Sequence, residues 1–101
     1  MKNSALDELT RLQEWYVAQC NGDWEHQYGV RIGNIDNPGW SLDIDLWDTP
    51  LAEKAFIATA IERCDSDWVH CKVEEAVFKG RGGALNLREL LQIFLAWTRE
   101  E

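Results

Sequence analysis

Basic residues are scarce in this chain. Ten Lys and Arg stand against eighteen Asp and Glu, for a net charge of −8. Direct binding to nucleic acid needs a cationic surface to neutralise phosphates, so the composition argues against it. Cysteine is scarce too, with only Cys20, Cys64 and Cys71. An odd, low count does not describe a disulfide framework, and reduced thiols in a reducing compartment are expected. Cys64, His70 and Cys71 lack the paired CxxC or HxxxH spacing of a zinc site, so neither metal nor cofactor is expected. No apolar run reaches the roughly 18 residues of a membrane span. The opening MKNSALDELTRLQEW lacks the basic-then-apolar layout of a secretory signal, and a cytoplasmic protein is expected. There are two prolines, no internal repeats and no low-complexity linker. Residues 1–101 therefore read as one domain, with enough apolar content for one core.

What is abundant is tryptophan and centrally placed acid. The six tryptophans are Trp15, Trp24, Trp40, Trp47, Trp68 and Trp97. Such residues are costly to expose and serve as core anchors or interface hot spots. Between Asp36 and Glu75 lie ten acids and three bases, so nearly all the excess negative charge is in the middle of the chain. A concentrated acidic field suits a basic partner, whose encounter it speeds.

Local patterns give an order of elements. Ser4 and Asp7 have capping-box spacing, Leu9, Leu12 and Tyr16 recur helically, and Asn21-Gly22 is a stop, which predicts a helix over 4–20. Residues 28–35 read as a strand, Asn37-Pro38-Gly39 as a turn, and 40–47 as a second strand. Residues 55–64 mix helix and strand formers; their alternation, the following Asp65-Ser66-Asp67 turn and the alternation over 68–78 favour a second hairpin. Gly80-Arg81-Gly82-Gly83 reads as a mobile loop without the lysine and hydroxyl of a phosphate-binding GxxxxGK[ST]. Asn86 and Glu89 open a last helix whose stripe is Leu87, Leu90, Leu91, Phe94 and Leu95. The expected fold is α+β, a four-stranded antiparallel sheet of two hairpins with an N-terminal and a C-terminal helix packed on one face.

The stretch DNPGWSLDIDLWD, 36–48, carries the most information about function. Its alternation sends Trp40, Leu42, Ile44 and Leu46 to the core and Ser41, Asp43, Asp45 and Trp47 outward. Asp48, and Asp65, Asp67 and Glu74 of the second hairpin, would extend this into an acidic, Trp-containing surface for binding a protein. Asp43 and Asp45 would stand roughly 6–7 Å apart on one strand face, a separation usable in hydrolysis, but a solvated face offers no pocket to separate their pKa values. His70 and Cys71, adjacent in a strand, would face opposite ways, and His26 near Cys20 is a weak signal for a nucleophile. No catalytic residue is expected; a small hydrolase stays as the lesser alternative, beside a non-catalytic adaptor for another basic protein.

The linked segments LQEWYVAQCNGDWEHQYGVRI (12–32), DNPGW (36–40), Asp67-Trp68, FKGRGG (78–83) and NLRELLQIFLAW (86–97) together resemble the immunity protein 53 family of bacterial polymorphic toxin systems. The resemblance implies a protein that binds and neutralises a cognate toxin domain, commonly a nuclease in such systems; the acidic charge makes a basic toxin the expected partner, with no membrane contact and a monomer or weak dimer expected. The residues shared with the family pattern are Trp15, Trp24, Glu25, His26, Tyr28, Pro38, Gly39, Trp40 and Trp68. Aromatic and turn residues in such positions are expected to hold the fold rather than touch the partner.

Overall fold

The first helix begins later than its apolar periodicity suggests. A computed structural model of the chain describes residues 7–99, so the Ser4 capping box lies outside the described residues. Helix α1 spans Glu8–Gln19 and is capped by Asp7, whose Oδ1 accepts from the Thr10 N–H at 2.8 Å. A one-turn helix not foreseen from sequence, α2 (Trp24–Gln27), follows. It is set by a local polar knot: Asn21 Oδ1 accepts from the Asp23 and Trp24 N–H groups, and the Glu25 carboxylate accepts from Asn21 and Gly22. Strands β1 (Val30–Ile35) and β2 (Gly39–Asp45) form the first expected hairpin, with Val30 opposite Ile44 and Ile35 opposite Gly39.

The region 55–64 becomes a strand only from Thr59. Strands β3 (Thr59–Cys64) and β4 (Asp67–Glu74) make the second hairpin. Here the architecture departs from expectation. The predicted strand 68–78 breaks at Glu75-Ala76, and the predicted loop 80–83 belongs to a fifth strand, β5 (Val77–Gly83). The sheet order is β1-β2-β5-β4-β3, all neighbours antiparallel, so the missed strand is the central one. Two physical facts hid it. Glu75 and Ala76 both take positive φ (54° and 59°), a tight-turn geometry that ordinarily calls for Asn or Gly. The glycines that read as a loop are instead a clearance for the final helix, α3 (Leu87–Thr98). A Cβ on Gly80 would lie 3.3 Å from Leu90 Cδ2, and one on Gly82 would lie 3.2 Å from Asn86 Cβ.

Helix α3 lies across the middle of the sheet. Its Leu90 and Phe94 are fully buried against Leu42, Ile44, Val69 and Phe78, and Leu12 of α1 joins the same core. Phe56, Phe78, Phe94 and Trp97 form an aromatic cluster with ring centroids from 5.2 to 6.4 Å apart. Trp97 also donates its indole N–H to the Ala55 carbonyl at 2.8 Å, which ties the unpaired 55–58 segment down at its start. Asn86 stands at the α3 N-cap, but its side chain does not cap: Nδ2 donates to Asp67 and Glu89 instead. Gly39, expected as turn chemistry, is the first residue of β2, where a Cβ would collide with the Gly82 carbonyl oxygen. With both long helices on one side, the other face of the sheet is left open.

Candidate functional site

The seven acidic and aromatic residues expected to form one surface fall into three places. Asp43, Asp45 and Glu74 lie on the open sheet face. Trp47 and Asp48 lie in the loop after β2. Asp65 and Asp67 lie at the β3–β4 turn, at the opposite end of the strands.

On the open face the register sets cations beside the acids in cross-strand rows. Arg31, Asp43, Lys79 and Lys72 are successive neighbours across four strands, and Ser41, Arg81 and His70 form the next row. Each expected acid there has a cation. Arg81 Nη1 donates to Asp43 at 2.8 Å, and Lys79 and Lys72 reach Glu74 at 2.9 and 3.5 Å. Two shallow depressions of about 540 and 460 Å³ flank His70 and Arg81, one reaching Lys72 and Lys79, the other Trp68 and Ile35. His70 meets Glu62 at 2.7 Å and lies 5.1 Å from the Trp68 ring.

Asp45 departs furthest from its expected outward position. It is only 8% exposed and is gripped by both guanidinium nitrogens of Arg31, at 2.8 and 3.1 Å, and by the Gly29 N–H at 3.0 Å. The Arg31 guanidinium, with help from Gly29, holds the Asp45 carboxyl below its ordinary range despite the opposing cost of burial. A carboxylate committed in this way is a brace between β2, β1 and the α2–β1 connection, not a free contact. Asp43 and Asp45 thus each belong to a different arginine.

At the β3–β4 end, Arg63 forks onto Glu89 (2.7 and 3.1 Å) and also reaches Asp67 (2.9 Å). The Asn86 amide, then Arg63, holds the Asp67 carboxyl below its usual range. Asp65 is exposed at the turn itself.

The Trp47 loop is different. Trp47 is 49% exposed, although its backbone is fixed. The indole N–H of Trp24, itself 2% exposed, donates to the Trp47 carbonyl at 2.8 Å. Trp24 is in turn packed edge-on by Trp15 and Tyr16 and lies beside Tyr28. The Leu46 N–H donates to the Ala76 carbonyl at 2.8 Å, which sets the Glu75-Ala76 turn beside the loop. Asp48 and Glu75 are exposed and have no ion-pair partner among the described residues.

The remaining family-pattern residues have mostly internal contacts. Glu25 braces the α1–α2 connection, and Trp40 donates to the Ala84 carbonyl at 2.9 Å. His26 is exposed. Burial pushes the Cys71 thiol up to about 12, so it is protonated at neutral pH. Among the described residues no group of three or more His, Cys, Asp or Glu is placed to hold a metal ion, and no helix is long and apolar enough to cross a membrane.

Sequence reasoning missed Arg31, Lys79 and Arg81, the cations that neutralise the open face. The signal was present: Phe78, Gly80 and Gly82 alternate with Lys79 and Arg81, a period-2 pattern masked by its glycines. Glu75 was missed because a turn inside an apparently continuous strand was not recognised.

No curated protein and no solved structure matches the chain. A family model described as Immunity protein 53 matches residues 9–99, nearly the whole length, and the chain therefore belongs to the immunity protein 53 family.

Proposed function

We propose that this immunity-family protein neutralises a basic toxin domain by docking the Trp47 end of its sheet onto it, with Asp48 and Glu75 as flanking charges. The observation that carries this reading is a half-exposed Trp47 on a backbone clamped by a buried tryptophan. A fixed backbone reduces the conformational freedom lost when the aromatic side chain binds, and the desolvation of that side chain slows dissociation. Asp48 and Glu75 lack internal cations, so their field is available to steer a positive surface such as the phosphate-binding cleft of a nuclease. Asp43, Asp45 and Glu74 already have cations and have less to offer.

Co-expression with a cognate toxin domain, followed by binding kinetics on the purified pair, tests the proposal. Trp47→Ala is expected to weaken binding by well over tenfold, mainly through faster dissociation. Asp48→Asn with Glu75→Gln is expected to slow association and to reduce its sensitivity to salt. Unchanged affinity in the triple variant would remove this end of the molecule from the interface.

A further inference from the structure

The sheet has two edges, and they are guarded unequally. At the β1 edge Arg31 is tied to Asp45, and α1 stands alongside, with Leu12 and Tyr16 lining a groove with Gly29 and Val30. The β3 edge has no such cover. β3 pairs only with β4, and five of its six residues are exposed. From Ala55 to Ile61 the sequence AFIATAI contains no charge, proline or glycine, in a chain of net charge −8. Ile57 is 88% exposed and Ile61 36%. An open edge normally carries charge, a bulge or proline to discourage pairing; here Glu62, Arg63 and a register shift between Glu62 and Cys64 guard the far half of β3, and the stretch up to Ile61 has none of them.

We infer that the β3 edge, with the two residues that lead into it, is the docking site for a second copy of this chain, paired antiparallel over Ile57–Ile61 about a two-fold axis at Thr59. The argument for a second copy is self-complementarity. With Thr59 on the axis, Ile57 of one copy lies opposite Ile61 of the other and Ala58 opposite Ala60, so β-branched residues meet each other and small residues meet small. The nearest charges, Glu62 and Arg63, fall beyond the paired segment, and both are engaged internally by His70 and by Glu89. Moving the axis to Ile61 would set Ile57 against Asp65. Moving it to Ile57 would draw in Phe56, whose ring is held by Phe78 and Trp97. Five residue pairs form a small interface, and two copies of charge −8 repel, so the dimer is weak and strengthens as salt screens that repulsion. This surface uses none of Trp47, Asp48 or Glu75, so its test is independent of toxin binding.

Sedimentation velocity on the purified chain, over two decades of concentration and at low and high salt, reads the association directly. The expected result is a monomer–dimer equilibrium that shifts toward dimer with salt. Ile57→Lys and Ile61→Lys should each weaken it at least about tenfold while the circular dichroism melt stays cooperative. In a Cys20→Ser, Cys64→Ser, Cys71→Ala background, which also removes the cross-strand neighbour of Thr59, Thr59→Cys should form a symmetric disulfide dimer under mild oxidation, which reports the register. A chain that is monomeric at every concentration and salt overturns the inference, as does a dimer indifferent to both lysine variants or lacking the Thr59→Cys cross-link. A monomer whose Ile57→Lys variant loses toxin affinity would overturn it too, and would assign the edge to the toxin.

Discussion

The open sheet face and the Trp47 end draw on the same stock of central carboxylates but differ in what surrounds them. On the face, β5 inserts Lys79 and Arg81 between strands that carry Asp43 and Glu74, and β1 adds Arg31 against Asp45. At the loop end, Asp48 and Glu75 sit in turns that no cationic strand crosses. Net charge is a sum over the chain, whereas an approaching partner responds to the local field, and short-range pairing cancels that field within a few ångströms. The carboxylates that looked most suited to a partner by strand alternation are the ones the fold uses internally. Those at its turns stay available.

Substitutions can probe the contrast, and the greatest loss should come where the two regions meet. Trp24 packs in the core and clamps the Trp47 backbone, so Trp24→Ala is expected to cost about 3–5 kcal/mol, read by urea denaturation. Trp24→Phe keeps most of the apolar volume and should cost less, about 1–2 kcal/mol, because the hydrogen bond to the Trp47 carbonyl is lost.

A second comparison sets a braced acid against a free one. Asp45→Ala leaves the Gly29 N–H and the Arg31 guanidinium without their acceptor and should cost about 2 kcal/mol, whereas Asp48→Asn, which suits the left-handed backbone at that position, should stay within about 0.5 kcal/mol. The braced acid should also have a pH signature. Its folded pKa lies below the unfolded value, so its contribution is complete above the unfolded pKa, near 4, and is lost as pH falls through the folded one. Asp45→Asn should therefore flatten the fall in stability below about pH 4, measured by denaturant midpoints across the acid range. An equally steep profile would mean that other carboxylates dominate acid unfolding. The smallest effect expected is at the missed turn: Ala76→Gly relieves a left-handed backbone and should raise stability by about 0.5 kcal/mol.

Much of the fold was visible in residue order because it rests on local periodicity. The stripe Leu87, Leu90, Leu91, Phe94 and the alternation Leu42, Ile44, Leu46 each report one buried face of one element, which requires no knowledge of its neighbours. β5 was not visible because its glycines answer to α3, an element that follows in sequence and packs from above. Glu75 and Ala76 form a tight turn without turn residues, since packing on both sides imposes their φ. In the site, Trp47 could be placed outward by counting twos along β2 and just past its end. The burial of Asp45 on that outer face could not be foreseen, because its partner Arg31 comes from the adjacent strand.

What the amino-acid order determined alone is the α+β class, the two long helices, both expected hairpins, the family membership and the excess of acid over base. These follow from periods, caps and composition, which are properties of neighbours along the chain. Tertiary structure decided the central fifth strand, which carboxylates are spent on arginines and lysines, and which tryptophan faces water on a fixed backbone. Those outcomes depend on strand order and register, which bring together residues distant in sequence, and no single segment encodes them.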